Sequence, residues 1–216
     1  MKKVILVDGN NLLFRSYYAT AYQGNFMKNS KGFPTNALYG FVNMINKIIN
    51  DEKPEYMLVA FDKGKTFRHD KYEDYKAGRI EMPNELKQQF PVAKEILTNL
   101  GIKWFEIDNY EADDIVGTLS KMIDDCGDYR GLIVSSDKDL LQLITDKVIM
   151  KMLKPKDYVM MTKETFFDVY GLTPEKMIDI KALQGDSSDN IPGVKGIGEK
   201  TALKLLQEYG SLEAIY

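Results

Sequence analysis

Three short apolar segments of the chain each lead into an aspartate. They are Val4–Val7 before Asp8, Met57–Phe61 before Asp62, and Leu132–Val134, which reaches Asp137 through two serines. Continuous aliphatic runs without polar alternation are typical of strands buried on both faces. Helix-like stretches separate the runs, which predicts a parallel sheet, and ligands of such sheets lie at the carboxyl ends of the strands. We therefore expect the three aspartates at one edge of an α/β fold.

The pattern of predicted elements changes near residue 160. Before it, helices are expected at 35–49, 85–100 and 115–123; after it, at 164–170, 174–183 and 199–209, joined by turns rich in Gly and Pro. The polar region 63–84 lacks periodicity and is expected to be a partly helical excursion from the sheet edge. We predict an α/β core over residues 1–160 and a helical region over 161–216.

Two further acidic groups accompany the strand-end aspartates. Glu111, Asp113 and Asp114 precede an apolar run, which predicts the first turn of a helix, where the helix dipole favours anions. Asp186 and Asp189 would share one face if their segment were helical. Any of these acids alone is explained by helix capping, whereas all of them together favour one site. The candidate metal ligands are Asp8, Asp62, Glu111, Asp113, Asp114, Asp137, Asp139, Asp186 and Asp189.

The charge distribution supports a phosphate-binding surface around such a site. The chain has 29 basic residues against 32 acids, a net charge of −3, which by itself argues against a nucleic-acid partner. Removing the nine candidate ligands leaves 23 acids against the 29 bases. No nearby set of lysines matches the acids in the sequence, so divalent cations are the expected counter-ions.

The available ligand types narrow the choice of metal. All-oxygen ligation favours Mg²⁺ or Mn²⁺, and two such ions about 4 Å apart can hydrolyse a phosphodiester. With one histidine, and Cys126 as the single cysteine, a zinc site and an internal disulfide are both disfavoured. No segment is apolar enough to span a membrane, and the chain is predicted to be cytoplasmic.

A glycine-rich loop precedes the last long predicted helix. Gly193, Gly196 and Gly198 offer backbone N–H groups to a phosphate, with Lys195 and Lys200 beside them. A plain helix–helix turn is the alternative interpretation. We favour a sequence-independent grip on the DNA backbone.

Several blocks of the sequence resemble the bacterial 5′ nuclease family. That family includes the N-terminal domain of DNA polymerase I, stand-alone bacterial and phage 5′ nucleases, and flap endonucleases. Gly185–Ala202 resembles its helix–three-turn–helix segment. The other matching blocks, in the family's order, are Val7–Asn10 with Phe14 and Arg15, Phe61–Asp62, Thr66–Arg68, Tyr75–Arg79, Tyr110–Asp114, and Asp137–Leu140.

The resemblance implies a PIN-like α/β fold with a helical arch at about 63–92, which belongs to the 1–160 core. It also implies two metal sets, the first made by Asp8, Asp62, Glu111 and Asp113, with Asp114 close by. The second set comprises Asp137, Asp139, Asp186 and Asp189. By the same resemblance, backbone carbonyls near Val194 and Ile197 hold K⁺. Lys76 and Arg79, with Asp113, are implied to act in catalysis, and Arg15, Arg68, Lys76 and Arg79 are implied to contact DNA.

The implied activity is 5′–3′ exonuclease and flap endonuclease cleavage of flapped, nicked or gapped DNA, including RNA-primed DNA, in replication and repair. The chain is expected to be a monomer, fused to or working with a DNA polymerase, and to lack the family's last helices. A metal-dependent ribonuclease and a non-catalytic, structure-specific DNA-binding module are the two alternatives.

Overall fold

The centre of the protein is a mostly parallel sheet. A computed structural model describes residues 1–21, 27–155 and 157–216. Its six-stranded sheet has the order β3-β2-β1-β4-β5-β6, and only β6 runs antiparallel to its neighbour. The strands are β1 (Lys2–Asp8), β2 (Tyr56–Ala60), β3 (Lys103–Phe105), β4 (Tyr129–Ser135), β5 (Val148–Leu153) and β6 (Tyr158–Met161). The predicted parallel sheet is therefore confirmed.

Helices cover both faces of this sheet. They are α1 (Gly9–Thr20), α2 (Asn36–Glu52), α3 (Phe67–Lys71), α4 (Asn84–Lys87), α5 (Gln89–Asn99), α6 (Ala112–Asp125), α7 (Lys163–Tyr170), α8 (Met177–Gln184), α9 (Glu199–Tyr209) and α10 (Leu212–Ile215). Short 3-10 helices lie at Lys138–Leu143 and Pro174–Lys176. None of the helices in the described ranges combines the length and hydrophobicity needed to span a lipid bilayer.

Two hydrophobic clusters form the core. One packs α1, α2 and α5 against one face of the sheet, with Phe41 and Leu97 fully buried. The other packs α6 against the opposite face and continues into the C-terminal helices through Phe166, Ile180 and Leu206. The helices after residue 160 therefore share their core with the sheet.

Some elements differ from the sequence-based predictions. Strand β5 was not predicted, because Lys151 interrupts its apolar run. In the structure Lys151 is buried, and its Nζ donates to Glu52 Oε1 at 2.7 Å. The helix predicted over 85–100 is divided into α4 and α5 at Gln88. The arch region is helical only in α3 and from Asn84 onward, and turns occupy most of the residues between them.

The segment with Asp186 and Asp189 is not helical, which corrects the prediction that they share a helix face. Gly185 has a φ of +75° and ends α8. The chain then forms a short hairpin from β7 (Gly185–Asp186) and β8 (Ile191–Pro192). This hairpin brings the Gly193 backbone against Gln184 and Gly185, where a Cβ on Gly193 would lie 2.2 Å from the Gln184 carbonyl carbon.

Gly193→Ala should destabilise the protein because neither backbone segment can move away without opening the hairpin. We expect a loss of about 1–3 kcal/mol in the free energy of unfolding, measured by urea denaturation. Gly127→Ala is the control, since a Cβ there meets nothing within 4 Å. Equal stability of the two variants would contradict the close packing at Gly193.

Candidate metal and nucleic-acid site

The parallel register brings the strand-end aspartates to one edge of the sheet. Asp8 ends β1 opposite Ala60 of β2, and Val7 lies opposite Val134 of β4. The two neighbouring strands reach their own aspartates two residues after they end. Five of the predicted acids line one cavity of about 260 Å³, and they are Asp8, Asp62, Glu111, Asp113 and Asp137.

Neutral donors hold two of these carboxylates in place. Asp8 accepts from the Asn11 N–H at 2.9 Å and from the buried Ser135 hydroxyl at 2.9 Å. Asp62 accepts from the Ala112 N–H at 2.7 Å and from the Asn10 side chain at 2.8 Å. These bonds fix the direction of each carboxylate without neutralising its charge.

Asp113 is the least compensated acid of the group. It lies in the first turn of α6, and among the described residues none donates a hydrogen bond to its carboxylate. Removal from water raises the pKa of Asp113 to about 8, with further contributions from the charges of Asp8, Asp137, Asp62 and Glu111. Burial likewise raises the pKa of Asp8 to about 7, against hydrogen bonds that lower it.

Glu111 and Asp114 are engaged in structural contacts at the start of α6. Glu111 is the N-cap, and its backbone N–H donates to Asp114 Oδ2 at 2.9 Å. Arg68 binds both oxygens of Asp114, at 2.7 and 2.8 Å. Burial alone would raise the pKa of Asp114, but the hydrogen bonds from Arg68 hold it below its usual value. Arg68 therefore anchors α3 to α6, a contact that nothing in the sequence indicated.

The second acid group is paired with basic side chains, contrary to the expectation that no lysines match the acids. Lys181 Nζ lies 2.5 Å from Asp139 Oδ1 and 2.7 Å from Asp186 Oδ2. Arg79 pairs with Asp189. Burial would raise the pKa of Asp186, but Lys181 and Ser188 lower it to about 2. Lys181 lies just before the Gly185–Ala202 block, but its contact with Asp139 joins two elements that are distant in sequence, which no local pattern indicates.

Tyr75 and Lys76 contact acids of both groups. Tyr75 is buried, and its hydroxyl lies 3.1 Å from Glu111 Oε2 and 3.0 Å from Asp189 Oδ2. Lys76 Nζ donates to Glu111 Oε1 at 2.7 Å, and its backbone N–H donates to the Asp189 carbonyl at 2.9 Å. Lys76 and Arg79 both line the acid cavity. Two of the predicted phosphate-contacting residues are thus next to the acids.

The other predicted DNA contacts lie away from the cavity. Arg15 donates to the Lys154 carbonyl in a separate groove between α1 and the β5–β6 hairpin. Gly193, Lys195, Gly196 and Gly198 are exposed in the loop before α9, and Lys200 is exposed in the first turn of α9. Neither loop lysine pairs with a carboxylate in the part of the chain that the structure describes. The Val194 carbonyl accepts from the Ile197 N–H at 2.9 Å, so the two residues expected to bind K⁺ belong to the same turn.

The ligand type of the first acid group suits a divalent cation, although the side chains are not yet arranged around one point. Within the described ranges, no three Asp, Glu, His or Cys side chains are already gathered as a metal site. However, carboxylate oxygens are the preferred ligands of Mg²⁺ and Mn²⁺. A cation would also remove the mutual repulsion that raises the pKa of Asp113.

Family models define the class of protein. The model described as "5'-3' exonuclease, N-terminal resolvase-like domain" matches residues 3–171, and the one described as "5'-3' exonuclease, C-terminal SAM fold" matches residues 172–216. Acids at the carboxyl edge of a resolvase-like sheet agree with that class. The chain belongs to the 5′–3′ exonuclease family, as its motifs indicated.

Two curated relatives from Bacillus subtilis (strain 168) are similar over nearly the whole chain. DNA polymerase I is 48% identical over 99% of this chain and 24% of its own length. A 5′–3′ exonuclease is 47% identical over 99% of this chain and 72% of its own length. The chain thus spans about a quarter of the DNA polymerase I relatives it matches.

Solved structures share the fold. The flap endonuclease of bacteriophage T5, in a complex with DNA and metal ions, is 27% identical with a TM-score of 0.77, covering 99% of this chain and 78% of that one. Flap endonuclease-1 from Methanococcus jannaschii, at 20% identity and a TM-score of 0.60, covers 96% of this chain and 71% of that one and supports the fold alone. The predicted family and fold class are confirmed.

The metal-free protein should become less stable as the pH rises from about 5 to about 8. The folded chain keeps protons on Asp8 and Asp113 up to about pH 7 and 8, whereas the unfolded chain releases them near 3.8. Stability is therefore full below the unfolded pKa and falls by about 1–3 kcal/mol as the pH passes through the folded values. Thermal unfolding in EDTA measures this.

Asp113→Asn should flatten that pH dependence and stabilise the metal-free protein at pH 8. Asp168→Asn, a change of an exposed acid on α7, is the matched control and should behave as wild type. Mg²⁺ should raise the melting temperature of wild type more at pH 8 than at pH 5. A wild-type profile that is flat in EDTA would show that the pKa values of Asp8 and Asp113 are not raised in the folded protein.

Proposed function

We propose that this chain is a structure-specific 5′ nuclease that hydrolyses DNA phosphodiesters at flaps, nicks and gaps. The observation that carries the proposal is the Asp113 carboxylate, which shares a cavity with four other acids and with Lys76 and Arg79 and accepts no hydrogen bond from any described residue. Such a cavity contains carboxylate oxygens that could bind a cation and positively charged side chains that could bind a phosphate.

Asp8, Asp62, Glu111 and Asp113, with Asp137, would hold a divalent cation such as Mg²⁺ or Mn²⁺, which when bound supplies an activated water and Lewis-acid stabilisation. Asn10, Asn11 and Ser135 orient the carboxylates through the hydrogen bonds described above. This preorganisation lowers the reorganisation needed when a phosphodiester enters.

The basic side chains stabilise the phosphate during cleavage. The Lys76 ammonium lies 2.7 Å from Glu111, and once that acid binds a cation the lysine is free to turn toward a phosphate oxygen. Arg79 extends from the exposed side of the same cavity. Both charges would compensate the negative charge that develops on the phosphate and on the leaving 3′ oxygen.

Substrate selection follows from backbone contacts rather than from base reading. The exposed Lys195 lies in the loop before α9 and the exposed Lys200 in its first turn, and lysines beside a helix N-terminus suit phosphate binding without sequence preference. Arg15 and Arg68 belong to this proposal only as peripheral contacts, because the guanidinium of Arg68 is held by Asp114. The Val194 and Ile197 carbonyls are proposed to hold K⁺ in the same loop.

The kinship with DNA polymerase I and with the T5 flap endonuclease supports DNA as the substrate and primer or flap removal as the task. A polymerase acting on the same DNA, in the same or another chain, is the proposed partner, and the acting unit is proposed to be a monomer.

Cleavage of a 5′-labelled double-flap DNA tests the activity. We expect a cut at the junction in Mg²⁺, none in EDTA, and a loss of at least about 10³-fold for Asp113→Ala. Asp168→Ala is the control and should cleave as wild type. The same flap made of RNA distinguishes a ribonuclease, and tight binding without any cut would indicate a binding module. Full cleavage by Asp113→Ala would refute the site.

The loop lysines should set affinity rather than turnover. Lys195→Ala and Lys200→Ala should each raise KM and lower the salt dependence of DNA binding by about one unit of log–log slope. Lys163→Ala, which removes a surface partner of Asp146, should leave both unchanged. Binding is measured by fluorescence anisotropy between about 50 and 200 mM salt. An unchanged slope in both loop variants would exclude the loop from DNA contact.

A further inference from the structure

Lys181 lies inside the second acid group. It projects from α8, and its ammonium is within 2.7 Å of both Asp139 Oδ1 and Asp186 Oδ2. Its side chain is only 27% exposed, so the contact is largely shielded from solvent. Asp186 Oδ1 is engaged as well, since the backbone N–H and hydroxyl of Ser188 donate to it at 2.8 and 2.7 Å. Both oxygens of Asp186 are therefore in use.

The two acid groups differ in how their charge is compensated. In the first, Asp8 and Asp62 accept only from neutral donors, and Asp113 accepts from none of the described residues. In the second, Asp139 and Asp186 share Lys181, and Asp189 is held by Arg79 and by the Tyr75 hydroxyl. Of the second group only Asp137 lacks a basic partner among the described residues, and Asp137 lines the cavity of the first.

We propose that Lys181 takes the place of the second divalent cation in this protein. The chain then binds one such cation tightly, at the first acid group, and a second one only by breaking both ion pairs of Lys181. This inference rests on the proposed function for the identity of the first site. It departs from the expectation of two equivalent metal sets.

A tethered ammonium is a strong competitor for this position. It is present at a high effective concentration because α8 holds it beside the hairpin, whereas a dissolved ion must be captured and partly dehydrated. Displacing it would also leave a half-buried positive charge without its partners, which is unfavourable. The second cation is therefore expected to bind much more weakly than the first.

Lys181 can act in this way because its two carboxylate partners come from different elements. Asp139 belongs to the 3-10 helix after β4, and Asp186 belongs to the hairpin after α8. The ammonium thus joins the C-terminal region to the sheet edge, as a bridging metal ion would. Unlike a metal ion, it supplies no activated water, so its role is to position the acids.

Titration of the full chain with Mn²⁺, followed by the electron paramagnetic resonance signal of the free ion, tests the proposal without any cleavage. Wild type should bind one Mn²⁺ tightly. Lys181→Met should bind two, with the second tightened by at least about tenfold. Lys176→Met is the matched control, since Lys176 is similarly exposed and, among the described residues, forms an ion pair with Asp179 alone. It should match wild type.

Two equally tight ions in wild type, with no change in Lys181→Met, would overturn the proposal, as would a weaker second ion in that variant. If Lys181→Met fails to fold by circular dichroism, Asp186→Asn decides, because the proposal requires it to keep the tight ion. Loss of a tightly bound ion in Asp186→Asn overturns the inference alone. Absence of any tight Mn²⁺ in wild type overturns the first site and the proposed function with it.

Discussion

Strand β1 shares its backbone hydrogen bonds with a parallel neighbour on each side, and this pairing governs the position of the three strand-end acids in the cavity. The register with β2 and β4 makes the three strands end at nearly the same height. A slip of one residue would turn Asp8 away from the cavity and move Val7 out of the core cluster in which it packs. Because both faces of the sheet are packed by buried helices, that register is strongly specified, and the protein tolerates a cluster of repelling charges that would open a less constrained edge.

Basic side chains pair with three of the four acids of the second group, whereas in the first group Glu111 pairs with Lys76 and no ion pair to Asp8, Asp62 or Asp113 is found among the described residues. Arg79 and Lys181 compensate acids of the hairpin and of the 3-10 helix. Asp8 and Asp62 of the first group are oriented by neutral donors such as Ser135 and the Ala112 N–H. Tyr75 joins the two groups by contacting Glu111 in one and Asp189 in the other.

The sequence allowed the first acid group to be predicted because strand ends of a parallel sheet meet by rule, and Asp113 followed from a helix start beside an apolar run. The second group was predicted only by resemblance, and its local geometry was wrong. Asp186 and Asp189 are brought together by a hairpin that depends on the positive φ of Gly185 and on its contact with Gly193. Lys181 and Arg68 were missed as partners of acids, since the contacts of Lys181 with Asp139 and of Arg68 with Asp114 join elements that are distant in sequence.

The uneven charge of the surface bears directly on substrate approach. A phosphodiester entering the cavity meets the acids of the first group together with Lys76 and Arg79, and Lys76 is paired with Glu111 until a cation takes its place. Lys195 and Lys200 lie on another element, without carboxylate partners among the described residues, and can hold the DNA backbone independently of that cation. DNA binding by these lysines and phosphodiester cleavage at the acids are therefore separable in this fold. Only the acids of the first group couple them, because Lys76 must leave Glu111 before it can contact the phosphate.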